Sequence, residues 1–235
     1  MGIAVAVVLA AGLGTRVGAD GNKAYLPLSG RSMLVWALDT AAHAASVDRT
    51  VLVFRQGERD LAEDTLRREL PGASVELIEG GDSRHASEFN MLSALAPEID
   101  RGAVEVIAIH DAARPLADAA LFDTAIGLAR RHGGALPALP LDDVVHTGPG
   151  GLQPTPGGLV RVQTPQAFRA RELLDAYRCA ERDGFEGTDT SSCVEHYTDL
   201  KVRTFPGRPD NLKVTYAGDI AVAERLLTDR RATPR

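Results

Sequence analysis

An uninterrupted apolar run, Ile3–Leu9, passes directly into a turn of small residues, Ala10-Ala11-Gly12-Leu13-Gly14. A short run with no polar alternation reads as a strand buried on both faces, the signature of a parallel sheet rather than of a sheet with one wet face. Thr50–Phe54 and Val104–Ile109 have the same character. Between and after them lie stretches with apolar residues at helical spacing: Met33–Ala45, Glu58–Leu70, Arg84–Leu95 and Asp118–His132. This alternation predicts an α/β fold, a doubly wound and mainly parallel sheet with helices on both faces. Ligands of such sheets bind at the carboxyl ends of the strands, near the switch in strand order.

The remaining punctuation is read in the same way. Val75–Ile78 is a strand ending at Gly80-Gly81, and Ala135–Leu139 is another. Pro97 is expected to stop the helix that begins at Arg84, and Asp118 to cap the next one. Asp142–Thr164 breaks the rhythm, being rich in Gly and Pro. Its ends, Val144–His146 and Leu159–Val162, suggest a protruding hairpin arm at about 142–162; a disordered surface loop is the alternative. Then come a helix (Arg171–Arg182), the polar segment Gly187–Ser192, a short helix, a strand (Lys201–Phe205) and a last helix (Asp219–Leu227). The tail Arg230–Arg235 is expected to fray, and Trp36 to lie in the core. The 235 residues suit one large α/β domain, taken here as 1–235 with its arm.

Chemistry gathers where these strands end. The turn after Leu9 exposes backbone N–H groups, and Arg16 and Lys23 add two cations, a combination suited to phosphates. The dinucleotide fingerprint is excluded because position 17 is Val, and no Gly-x-x-x-x-Gly-Lys-Ser/Thr string occurs. The turn therefore points to a nucleoside triphosphate; the alternative is an ordinary strand-to-helix turn with two surface cations. Gly80-Gly81-Asp82-Ser83-Arg84 with Ser87 offers a flat approach to the backbone and a helix start, or else only an N-cap. His110-Asp111-Ala112-Ala113-Arg114-Pro115 follows the most apolar strand. A carboxylate at a buried strand end needs a partner, either Mg²⁺ accompanying a triphosphate or Arg114. In Asp210-Asn211-Leu212-Lys213-Val214-Thr215, a strand would turn Lys213 away from Leu212 and Val214 and into a polar cleft; a surface lysine is the alternative.

Other classes are excluded. Lys and Arg number 26 against 32 Asp and Glu, a net charge of −6, which argues against a nucleic-acid surface. No apolar run reaches ~18 residues, so no membrane span is expected, and the N-terminus lacks the basic region of a signal peptide. Cys179 and Cys193 match no zinc or redox spacing and read as reduced structural thiols of a cytoplasmic protein. His43, His85, His110, His132, His146 and His196 show no metal-ligand spacing.

The first loop resembles the Ala-Ala-Gly-x-Gly-x-Arg…Lys loop of the sugar-nucleotide pyrophosphorylase superfamily, with Ala10, Ala11, Gly12, Gly14, Arg16 and Lys23 in its places. With Gly80–Ser87, His110–Pro115, Gln163-Thr164-Pro165-Gln166-Ala167-Phe168, Thr188-Asp189 and Asp210–Thr215 in order, the chain is similar throughout to 2-C-methyl-D-erythritol 4-phosphate cytidylyltransferases and their sister ribitol-5-phosphate cytidylyltransferases. The resemblance implies a Rossmann-like nucleotidyltransferase that joins CTP to an alcohol phosphate. It implies Arg16, Lys23 and Lys213 as catalytic residues and Ala10, Ala11, Gly12, Gly14, Gly81, Asp82, Arg84, Ser87 and Ala112 around CTP. Asp143, Thr188, Lys213 and Arg114 would meet the acceptor, and Asp111 would hold Mg²⁺. It also implies a homodimer that exchanges the arms; the charge and the short apolar runs noted above leave no nucleic-acid or membrane partner expected. Two positions depart from the pattern: Val144 stands where the family has Thr, and Pro156 where it has Arg. Arg161, an odd number of residues on, would point to the opposite face of a regular strand. Ribitol 5-phosphate, another polyol phosphate or a phosphonate are therefore alternative acceptors to methylerythritol phosphate, and a non-catalytic nucleotide-binding protein is the alternative class.

Overall fold

Strand β1 (Ile3–Leu9) lies in the middle of an eight-stranded sheet, as a strand apolar on both faces must. The computed structural model describes residues 2–12, 21–141, 144–148, 151–154, 158–187 and 189–232. After β1 come a 3-10 turn (Lys23–Tyr25), the small pair β2 (Pro27–Leu28) and β3 (Arg31–Ser32), then α1 (Met33–Ala42), β4 (Arg49–Phe54), α2 (Arg59–Glu69) and β5 (Val75–Glu79). The chain next crosses to the other side of β1 through α3 (Arg84–Asp100), β6 (Val104–Asp111), α4 (Ala119–His132) and β7 (Gly133–Pro140). It continues with β8 (Val145–Gly148), β9 (Gly151–Pro154), β10 (Val160–Val162), β11 (Gln166–Arg169), α5 (Ala170–Asp183), α6 (Thr190–Tyr197), β12 (Lys201–Pro206) and α7 (Ala217–Ala232).

The sheet is mainly parallel, as the alternation predicts. β1 pairs in parallel with β4 and β6, β4 with β5, and β7 with β12. β11 is antiparallel to both β6 and β7, and β10 is antiparallel to β7. Strand order reverses between β1 and β6, so their carboxyl ends flank the expected binding crevice. Alternate side chains feed two cores. Val5, Val7, Val51, Val53, Ile107 and Ile109 meet α3, α5 and α6 on one face. Ala4, Ala6, Val8, Val106 and Ala108 meet α1 and α4 on the other.

Several expectations are corrected. Pro97 does not end α3, which runs to Asp100. The proline removes one late hydrogen bond on the exposed side of the helix, while Leu95 and Ile99 remain in the core and hold the last turn. The arm is a hairpin, but β8 pairs with β9, and Val160–Val162 joins the main sheet against β7 instead. Residues 142–143, 149–150 and 155–157 of the arm, Pro156 among them, lie outside the described residues. The last helix extends through Arg230, which does not fray: its guanidinium donates to the Leu116 carbonyl and to Asp210, both at 2.7 Å. Trp36 is half-buried rather than core, with its indole N–H on the Leu28 carbonyl and Arg31 stacked over the ring. Lys213 follows no strand, since residues 212–215 belong to no strand or helix. Among the described residues, no helix is long and apolar enough to cross a membrane.

Candidate active site

The ends of β1, β4, β5 and β6 open onto one cleft of about 520 Å³. Its walls are Leu9–Gly12, Asn22–Ala24, Arg55 and Gln56, Gly81–Arg84 with Ser87, Asp111–Ala113, and Lys213. The start of the first loop is fixed by its neighbours. The Ala10 N–H donates to the Val53 carbonyl (2.8 Å), and the Ala112 N–H to the Leu9 carbonyl (3.0 Å). Asn22 ties the far side of the loop to its beginning: its amide donates to the Ala10 carbonyl (2.6 Å) and to Glu58 (2.8 Å), and its oxygen accepts from the Ala24 N–H (3.0 Å). Lys23 then reaches across to the Val214 carbonyl, 3.0 Å from its Nζ. Gly14 and Arg16 lie outside the described residues.

Gly80 is a glycine because the loop after β1 approaches it. A methyl added there would stand 2.6 Å from Ala11 Cβ and 2.8 Å from Ser87 Oγ, inside any real contact distance. Ser83 caps α3 by accepting the Ala86 N–H (3.1 Å). Ser87 shapes the Gly81 turn from below, accepting the Gly81 N–H (3.1 Å) and donating to the Ser83 carbonyl (2.8 Å). The backbone of Gly81–Ser83 is thus held against the cleft as a rigid rim.

Asp111 is the electrostatic centre. Its carboxylate is buried, with Arg84 Nη1 2.7 Å from Oδ1, Lys213 Nζ 2.7 Å from Oδ2, and Arg114 Nε 3.9 Å away. Burial pushes this carboxyl upward, but Arg84, Lys213 and Arg114 together hold it well below the usual carboxylate range. Asp111 is therefore ionised around neutral pH. Behind it the Asp111 N–H donates to Thr164 Oγ1 (3.1 Å), which lies 2.9 Å from His110 Nδ1, while His110 Nε2 lies 3.1 Å from the Arg114 carbonyl. A carbonyl only accepts, so Nε2 carries the proton and Thr164 donates to Nδ1. Burial pushes His110 down to about 4, so it stays neutral as a spacer.

Lys213 is aimed by the residues beside it. Asn211 is wholly buried, donates to the Thr164 carbonyl (2.9 Å), and accepts through its own carbonyl from Arg114 (2.8 Å) and Gln163 (3.2 Å). The Val214 N–H donates to the Ala113 carbonyl (2.8 Å). Arg114 itself faces inward, its guanidinium on the carbonyls of Asn211 and Val162 (3.4 Å), and it is not among the described residues lining the cleft. Asp143 and Thr188 lie outside the described residues, while Asp189 caps α6 with a reciprocal Ser192 box. Arg55, Gln56, Asn22 and the buried Glu88 beneath Arg84 are additions to the residues expected from sequence. The end of β4 after Thr50–Phe54 was a signal for the first two.

The arrangement suits a polyanion. Lys23, Arg55, Arg84 and Lys213 outnumber Asp82 and Asp111 on the walls, although the whole chain is acidic. Among the described residues, no group of three or more His, Cys, Asp or Glu could enclose a metal. One ionised carboxylate among cations nevertheless fits Mg²⁺ arriving with phosphates, because Mg²⁺ takes few protein ligands and completes its shell with phosphate oxygens and water.

Comparison with known proteins places the chain among relatives of one kind. The family profile for 2-C-methyl-D-erythritol 4-phosphate cytidylyltransferase matches residues 4–229. A protein of that name from Cereibacter sphaeroides is 42% identical over 228 residues, covering 94% of this chain and 96% of its own. One from Geobacillus kaustophilus is 34% identical over 230 residues, covering 97% and 98%. A crystal structure of 4-diphosphocytidyl-2C-methyl-D-erythritol synthase from Anaerococcus prevotii superposes with a TM-score of 0.82 at 28% identity, covering 97% of this chain and 96% of the other.

Proposed function

Because the chain belongs to the 2-C-methyl-D-erythritol 4-phosphate cytidylyltransferase family, we propose that it transfers CMP from CTP to 2-C-methyl-D-erythritol 4-phosphate in the isoprenoid precursor pathway, releasing pyrophosphate. The observation that supports this most is that Ala10–Gly12, Lys23, Gly81–Ser87, Asp111–Ala113 and Lys213, far apart in sequence, line one cationic cleft. In this reading Ala10, Ala11, Gly12 and Gly14 wrap the triphosphate, and Gly81, Asp82, Arg84, Ser87 and Ala112 surround the nucleoside.

An acceptor phosphate oxygen attacks the α-phosphorus in line. The bond to the bridging oxygen breaks, and pyrophosphate leaves with the electron pair. The attacking oxygen is already ionised, so no general base is required. Catalysis is then alignment and charge neutralisation. Arg16 and Lys23 neutralise charge growing at phosphorus and on the leaving group. Lys213 stands by the acceptor phosphate, which Asp143 and Thr188 would also meet, and Arg114 supports Lys213 by fastening the Asn211 carbonyl. Mg²⁺, held by Asp111, would supply Lewis-acid charge to the phosphate oxygens.

The unit is taken as one domain, 1–235, acting in the cytoplasm as a homodimer. Leu159, Val160 and Val162, beside the arm, are 42%, 45% and 37% exposed, an apolar strip that a partner's arm would cover. Sedimentation at nanomolar concentration tests the dimer; a fully active monomer would reject it. Pyrophosphate release from CTP tests the reaction, with methylerythritol phosphate, ribitol 5-phosphate and a small phosphonate as acceptors. Efficient turnover of methylerythritol phosphate supports the assignment. Preference for another acceptor would trace to Val144 and Pro156, and no release with any of them would leave a nucleotide-binding protein.

A further inference from the structure

Glu88 lies one turn into α3, directly beneath Arg84, and is only 1% exposed. A glutamate four residues from an arginine on a helix ordinarily forms a solvated pair worth a few tenths of a kcal/mol. Here the carboxylate is sealed in. Its Oε1 accepts from Thr190 Oγ1 (2.9 Å) and lies 3.0 Å from Arg84 Nε, off the line of that N–H, so the second contact is a charge pair rather than a linear hydrogen bond. Its Oε2 accepts from the Tyr177 hydroxyl. Tyr177 is itself wholly buried and backed by His85, stacked at 4.5 Å. Burying a carboxylate this deeply is costly and brings no clear gain in stability over an apolar residue. Its geometry provides a fixed anchor for one edge of Arg84.

Arg84 is thus gripped at both ends, with Nε on Glu88 and Nη1 on Asp111 Oδ1. The other oxygen of Asp111, Oδ2, has Arg114 Nε at the outer limit of an ion pair (3.9 Å) and is held closely by Lys213 (2.7 Å), whose side chain is 37% exposed and can turn into the cleft. The two close cations on Asp111, Arg84 and Lys213, therefore differ in how easily they can be displaced. We propose that Glu88 is a positioning residue: it clamps Arg84 onto one oxygen of Asp111, so that Asp111 offers a single oxygen, Oδ2, to the cation that arrives with the nucleotide. This rests on the function proposed above. A one-oxygen carboxylate suits the compact octahedral shell of Mg²⁺, whereas Ca²⁺ readily takes both oxygens of a carboxylate. The clamp thereby favours Mg²⁺. It also keeps Arg84 from leaving Asp111 for the triphosphate.

The test is calorimetric CTP binding in EDTA, Mg²⁺ and Ca²⁺ for the wild type, Glu88→Gln and Tyr177→Phe, with a thermal melt of each. In the wild type Mg²⁺ should tighten CTP more than Ca²⁺ does. Glu88→Gln keeps the shape and removes the charge. It should hold the affinity in EDTA within about twofold, lose roughly tenfold of the gain from Mg²⁺, and narrow the Mg²⁺/Ca²⁺ ratio, in line with residues that orient a metal ligand. Tyr177→Phe should move the same quantities in the same direction by less, and it decides the matter if Glu88→Gln does not fold. Variants that keep the wild-type gain and ratio overturn the clamp while leaving the proposed reaction intact. A wild type that binds CTP equally with and without Mg²⁺ overturns both the metal role of Asp111 and the clamp. A wild type that binds no CTP overturns the proposed function first, and the clamp with it.

Discussion

Replacing Asp111 with Asn should act in opposite directions on nucleotide binding and on turnover. The carboxylate is ionised and central, so the substitution removes one full negative charge from among Arg84, Lys213 and Arg114. Removing one partner from a buried charge pair costs about 3–5 kcal/mol. Two features soften that here. Arg84 keeps Glu88, and the Lys213 side chain, 37% exposed, can turn into the cleft. A loss of about 2–3 kcal/mol is expected, lowering Tm by about 5–10 °C for a chain of this size. Without metal, the cleft then repels a triphosphate less. One unit charge at about 5 Å and an effective dielectric of 20 is worth about 3 kcal/mol, and partial exposure and salt reduce this to about 1.4 kcal/mol, or tenfold tighter CTP in EDTA. With Mg²⁺ the advantage should vanish, and turnover should fall about 10²-fold or more as the metal loses its protein ligand. The assay is calorimetry of CTP with and without Mg²⁺, followed by pyrophosphate release. A variant that binds CTP more weakly in EDTA, or that keeps the wild-type response to Mg²⁺, would refute the electrostatic reasoning and place the metal elsewhere. Because Asp111 does not titrate near neutrality, the contrast between variant and wild type should be the same at pH 8 and pH 9, where the triphosphate is fully ionised.

Lys23→Ala and Arg16→Ala should lower kcat by roughly 10²–10³-fold with little change in CTP affinity, since both are assigned to charge that grows in the transition state; a raised KM at normal kcat would reassign them to ground-state binding. Gly80→Ala should destabilise by about 1–3 kcal/mol and weaken CTP binding, because its methyl would displace Ala11 and Ser87; an unchanged melt would show that the loop yields freely. Asp210 is raised by burial but held down to about 2 by Arg208 and Arg230. Its folded-state value lies below the unfolded one, so its stabilisation is complete above about pH 5 and is lost as pH falls through 4 towards 2. Arg230→Ala should shrink that acid-sensitive part, and acid titration of the melt for both proteins would expose an unaltered slope as a contradiction.

The sheet and the rim of the cleft were legible because each rests on local chemistry. An apolar run that ends in His110-Asp111 marks a buried strand with a charge at its tip, and paired glycines mark the end of the strand at Val75–Ile78, although the neighbours that require Gly80 are Ala11 and Ser87 of the chain itself. What was not legible depends on contacts distant in sequence. Nothing near Glu88 shows that Thr190 and Tyr177 will close over it. Nothing near Asn211 shows that Gln163, Thr164 and Arg114 will receive it. Lys213 was placed in the cleft by an argument from strand alternation, yet the segment is no strand. Leu212 and Val214 still turn into the core around α7 because they are apolar, and this aims the lysine the same way. The arm misled for a related reason. Apolar ends suggested that its two termini pair with each other, but the open edge of β7 was the stronger partner for Val160–Val162.

Val214 joins three parts of the chain through one residue: its N–H goes to the Ala113 carbonyl, and its carbonyl receives Lys23. A ribosome delivers these residues in order, and Val214 follows all the strands that line the cleft. β1, β4, β5 and β6 can pair before it emerges, but until then Lys23 lacks this anchor and Asp111 lacks Lys213. The growing chain therefore carries a folded nucleotide-facing sheet with an unfinished cleft. Competence to bind and react should switch on only when the segment 211–214 docks and the helix behind it locks Arg230 onto Asp210 and the Leu116 carbonyl.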